Sequence, residues 1–121
     1  MLIERLGGGQ AGRSRAAAWK DLVWAVATSP DLTLDGPGQM RAALEALENT
    51  LRRLGSDKGH ILSVHLFLAN MADKAQVDSV WNQWIGDNPE HWPQRACLGV
   101  DLGGQLQVEL TVTAVRRDAV T

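Results

Sequence analysis

Few side chains in this 121-residue chain could do covalent or acid–base chemistry. There is one cysteine, Cys97, three histidines (His60, His65 and His91) and no tyrosine, so no phenol can act as acid, base or nucleophile. A cysteine nucleophile needs a base beside it, and none of the three histidines makes a convincing one. Three scattered histidines do not have metal-ligand spacing, so neither a metal nor another cofactor is implied. The last two predicted strands carry, among their polar residues, Arg95, two residues before Cys97, and Glu109, in the last apolar–polar alternation. The planar guanidinium fork suits a small carboxylate. An arginine on a strand can equally be a structural partner of Asp101 or Glu109, and the residues alone favour that plainer reading. Glu109 is by default a solvated strand residue, and Cys97 a small half-buried one.

The setting is ordinary. The length fits a single domain, 1–121. Apolar residues make up 45% and charged residues 21%, a globular composition. A net charge of −2 argues against a strongly basic nucleic-acid binder or a polybasic membrane anchor. The first residues lack the pattern of a signal peptide. The longest apolar run, Ile61 to Ala69, is nine residues and too short to span a bilayer. A soluble, cytoplasmic protein without membrane or nucleic-acid partners is the expectation.

Elements follow from periodicity. Residues 2–5 suggest a short strand, followed by the glycine-rich segment 7–12. The runs at 15–19 and 22–27 suggest a hairpin around Lys20-Asp21. Met40, Leu44, Leu47, Leu51 and Leu54 form one helical stripe, closed by Gly55. Ile61 to Ala69 predicts a central strand buried on both faces, with His65 as a satisfied core histidine. Asp73 is a candidate cap for a second helix, whose stripe is Val77, Val80, Trp81, Trp84 and Ile85. Segments 94–102 and 106–115 predict the last two strands, paired through a Gly103-Gly104-Gln105 loop. The alternation puts Ala96, Leu98, Val100 and Leu102 on the core face, and Arg95, Cys97, Gln107, Glu109, Thr111 and Thr113 on the polar one. The order β-β-β-α-β-α-β-β, with both helices on one face, is an α+β layer fold.

The motifs in their order then resemble a known family. Gly55-Ser56-Asp57-Lys58, Ile61-Leu62-Ser63, Leu68-Ala69-Asn70-Met71-Ala72-Asp73, Val80-Trp81, Pro93-Gln94-Arg95-Ala96-Cys97 and Val108-Glu109-Leu110 are together similar to the RidA/YjgF family, the reactive-intermediate deaminases also labelled endoribonuclease L-PSP. The resemblance implies a chorismate-mutase-like fold and a homotrimer with clefts between subunits. It also implies hydrolysis of 2-imino or 2-enamino acids to 2-keto acids and ammonia. By resemblance Arg95 holds the substrate carboxylate, and Glu109 with the backbone carbonyl of Cys97 orients water. Glu109 would need its pKa raised by partial burial to shuttle a proton near neutrality.

Three departures from the family pattern bear on the pocket. Val26-Ala27-Thr28 stands where a glycine is usual, so Ala27 is expected to narrow or reshape the site. The covering tyrosine or phenylalanine near the early hairpin is missing, with Trp24 or Trp19 as candidate substitutes. Asp78 stands where asparagine is frequent and would add negative charge to the cleft. A non-catalytic trimer that binds a small carboxylate or serves as a regulator is the competing reading. The ribonuclease reading is disfavoured by the net charge.

Overall fold

A computed structural model describes residues 2–119. The elements are β1 (Glu4–Gly7), β2 (Ser14–Trp19), β3 (Leu22–Thr28), α1 (Gly36–Arg53), β4 (Ile61–Leu68), α2 (Lys74–Ile85), β5 (Gln94–Gly99) and β6 (Val108–Val115). They form one six-stranded sheet in the order β1-β2-β3-β6-β4-β5. All neighbours are antiparallel except β4 and β5, which run parallel. Among the described residues no helix is long and apolar enough to cross a membrane.

Helix α1 starts where Asp35 accepts from the Gly38 backbone N–H at 2.9 Å, with Pro37 in the first turn. It ends before Gly55, whose φ of +81° is costly for any residue with a Cβ. Its predicted stripe is buried: Met40, Leu44, Leu47, Leu51 and Leu54 pack on Val23, Ala25, Val64, Leu66, Leu110 and Val112 in one core. Helix α2 buries Val77, Val80, Trp81 and Ile85 against the same side of the sheet. Asp73 stands at its N-cap position but makes no side-chain capping bond. The fold is thus two layers, with both helices on one face and the other face bare.

The last two strands depart from expectation. β5 and β6 are not neighbours, because β4 lies between them. The segment from Val100 to Gln107 is therefore a loop, and no hairpin is closed at Gly103-Gly104. The strands are also shorter than expected, ending at Gly99 and beginning at Val108. β5 is turned over as well. Its parallel register sets Arg95 beside Val64 and Cys97 beside Leu66, so both point to the helix side. Ala96 and Leu98 are the residues facing out, with Leu98 44% exposed. Nor is β4 buried on both faces: His65 is exposed on the bare side, stacked on Phe67 with ring centroids 6.2 Å apart.

The loop before β6 is held by a residue that periodicity passed over. Gln39 in α1 is fully buried. Its Nε2 donates to the carbonyls of Leu34 at 3.1 Å and Gln105 at 3.0 Å, and its Oε1 accepts from the Gln107 backbone N–H at 2.8 Å. One amide thereby satisfies backbone groups of two loops and fixes where β6 begins. Gln39→Leu keeps the volume but strands these groups. We expect a loss of about 3 kcal/mol or more, from about 1–3 kcal/mol for each of the three stranded groups. Urea denaturation with an unchanged m-value would register it.

Candidate active site

Arg95, Cys97 and Asp78 come together where the inner face of β5 meets α2. Arg95 Nη2 donates to Asp78 Oδ1 at 2.6 Å, and Lys74 Nζ donates to Asp78 Oδ2 at 2.8 Å. The Arg95 guanidinium carbon lies 5.4 Å from the centroid of the Trp81 ring. Asp78 and Trp81 reach it, and Lys74 reaches Asp78, because spacings of four and three put the three on one face of a helix. Arg95 therefore does have a carboxylate partner, but it is neither Asp101 nor Glu109. The cluster of two cations and one carboxylate keeps a net positive charge. Its other terminal nitrogen, Nη1, is buried and has no hydrogen-bond partner. A planar group with one arm locked and the other free is prepared for a second acceptor.

Burial pushes the Asp78 carboxyl up, but hydrogen bonds from Lys74 and Arg95, together with their charges, outweigh it and hold the group below its ordinary value. Asp78 is thus a carboxylate at neutral pH. Burial also pushes the Cys97 thiol up, and the opposing charges of Arg95 and Lys74 do not cancel that. Cys97 is then a protonated thiol at neutral pH, a poor nucleophile.

Glu109 and Trp24 lie on the opposite face of the sheet. Glu109 sits in an outward row between Thr28 of β3 and Phe67 of β4. Two strand spacings separate it from β5, about 10 Å, with the sheet itself between it and Arg95. It borders a hollow of about 360 Å³ that also includes Arg13, Ser14, Arg15 and Thr28. Trp24, 40% exposed, is paired with Thr113, four residues along β6 from Glu109 and so about 13 Å away. The Ala27 methyl points into the core, 6% exposed. It does not border the hollow at Glu109, because β3 alternation turns it toward α1. Among the described residues no three metal-ligating side chains gather.

The sequence matches the family model for endoribonuclease L-PSP over residues 27–116. The chain belongs to this family, also called RidA/YjgF. A RutC family protein from Haemophilus influenzae is 30% identical over 104 residues, covering 84% of this chain and 88% of that one. Escherichia coli TdcF, whose name proposes it as a reactive intermediate deaminase, is 25% identical over 87 residues, covering 71% of this chain and 67% of its own. A crystal structure of a YjgF family member from Neisseria meningitidis superposes with a TM-score of 0.87 at 28% identity, covering 98% of each chain. The chorismate-mutase-like fold is that of the family. In this RidA/YjgF member the arginine of the Pro-x-Arg segment is anchored by Asp78, a partner that the strand pattern did not predict.

The sign of the Asp78 effect is fixed by the lowered value. A group held below its unfolded pKa of about 3.9 stabilises the fold fully above that pH, and this contribution drains away as the pH falls below it. Asp57, lowered in the same direction, adds to the same acid limb: burial raises it, and the His60 hydrogen bond at 2.6 Å, the His60 charge and Arg117 outweigh burial. Asp78→Asn should lower the melting temperature at pH 7. It should also shrink, without abolishing, the drop in melting temperature below about pH 4. A pH series of thermal melts measures both.

Proposed function

We propose that this protein hydrolyses reactive 2-imino acids, and their enamine tautomers, to 2-keto acids and ammonia. The observation that carries the reading is the Arg95 guanidinium, with Nη2 held by Asp78 and Nη1 buried and free. That arm would take the substrate carboxylate. Water adds to the imine carbon, forming a C–O bond and giving a carbinolamine. A proton moves from the added water to nitrogen, the C–N bond breaks, and ammonia leaves. A substrate this reactive needs positioning more than activation. The backbone carbonyl of Cys97 would orient the water, and Glu109 would move the proton.

Arg95 and Glu109 of one chain lie on opposite sheet faces, so a single small substrate cannot touch both within one chain. We infer that the site is completed between copies, in a homotrimer that packs the bare faces together. That face carries Trp24, Val26 and Leu98, each about 40% exposed or more, on an otherwise uncovered layer. The name of TdcF proposes a reactive intermediate deaminase, in keeping with this reading. A reducing cytoplasmic setting suits the lone Cys97 thiol.

Arg95→Ala should lower kcat/KM for an enzymatically generated imino acid on the order of a hundred-fold, the upper range for one charge-assisted hydrogen bond from the free arm. Arg95→Lys should recover little, since an ammonium cannot replace the fork. Cys97→Ser should cost far less, because it leaves the carbonyl in place. Keto-acid formation followed against the uncatalysed rate is the measurement. Wild type and Arg95→Ala equally inert across several imino acids would leave only a small-carboxylate-binding protein.

A further inference from the structure

The hollow at Glu109 holds more positive charge than the reaction requires. Residues 5–20 contain Arg5, Arg13, Arg15 and Lys20 and no Asp or Glu. Strand alternation turns Arg5 and Arg15 to the bare face, and Arg13 lies in the turn just before β2. Arg13 and Arg15 border the 360 Å³ hollow that contains Glu109. Both, with Arg5, also border an adjoining hollow of about 640 Å³ that includes Trp24 and His65. Elsewhere Arg52, Arg95, Arg116 and Arg117 each hold a carboxylate. Arg13 and Arg15 do not: neither comes within ion-pair distance of Glu109 or of any other acid among the described residues. The hydrogen bond of Arg13 goes to the neutral Gln10 Oε1 at 2.9 Å, and Arg15 Nε is buried without a partner. Gly12, at φ +84°, makes the turn that delivers Arg13 to this edge. Two cations left unneutralised beside one carboxylate form an anion receptor.

We propose that Arg13 and Arg15 bind a second carboxylate, so that the preferred substrates are 2-imino dicarboxylic acids. This rests on the deaminase reading and on the shared cleft. Arg95 of one chain takes the carboxylate next to the imine. Arg13 and Arg15 of the neighbouring chain take the carboxylate at the far end, beside the Glu109 that handles the proton. The two positive clusters need not compete for one group, because the two sheet faces supply them separately.

The test compares the imines of aspartate and of 2-aminobutyrate, which differ in a terminal carboxylate against a methyl group. Both are released in situ by amino-acid oxidases at one ionic strength. Wild type should favour the aspartate imine by on the order of ten-fold or more in kcat/KM, and Arg13→Gln and Arg15→Gln should each bring that ratio toward one. Equal turnover of the two imines, or preference for the methyl compound, overturns the proposal and leaves the deaminase reading standing. If neither imine is hydrolysed, the deaminase reading falls, and calorimetric binding of oxaloacetate against 2-ketobutyrate decides the proposal. Tighter oxaloacetate binding that Arg13→Gln abolishes supports the dicarboxylate site, and equal binding overturns it.

Discussion

The parallel pairing of β5 with β4 decides where the chemistry can happen. With Arg95 beside Val64 and Cys97 beside Leu66, the arginine is delivered to the helix side of an edge strand. There Asp78, itself held by Lys74, reaches it from a helix face that packs on the same core. A shift of one residue in that register would send Arg95 to the bare face and break the cluster. Glu109 is committed to the other face just as firmly, because Val108 and Leu110 on either side of it are fully buried. Two rigid registers in one sheet thus hold the two halves of the proposed site apart.

The rest of the fold keeps those registers. β6 runs between β3 and β4, so Glu109 lies in the middle of the sheet, where hydrogen bonds on both sides restrict it. Gln39 pins the start of β6 from within α1. At the far end Ser56 Oγ donates to the Val115 carbonyl at 2.6 Å, and Arg117 Nη1 donates to the Ser56 carbonyl at 2.7 Å. Both ends of the strand are thus tied to the segments around α1. Rigidity of this kind is what a positioning catalyst requires.

Most of this architecture was legible in the sequence. The stripe from Met40 to Leu54 and the alternation from Val108 to Val115 each have one dominant period, so element type and buried face follow directly. The order of elements and the single helical layer followed from them. β5 misled because its face was judged by hydrophobicity alone. Ala96 and Leu98 are its apolar alternate residues, yet they lie on the bare face, while the core side takes the charged Arg95 because Asp78 and Trp81 accommodate it. The same bias made His65 a core residue. Non-local pairing was also out of reach, since nothing in residues 94–115 says that β4 will insert between the last two strands. Of the site, Arg95, Cys97 and Asp78 were found and do meet. Lys74 was missed, although its spacing to Asp78 and Trp81 is a readable helical signal. Arg13 lies just past a glycine-rich segment and Arg15 at the start of the expected hairpin, and only the folded sheet reveals where both are delivered.

The proposal that follows from the opposed faces is that each site takes its arginine from one chain and its glutamate from another. Co-refolding Arg95→Ala chains with Glu109→Gln chains tests it most directly. If the site is shared, each mixed trimer regains roughly one intact cleft in three, and imine hydrolysis returns in the mixture though neither parent has it. A mixture of verified mixed trimers no more active than the sum of its parents would contradict the account.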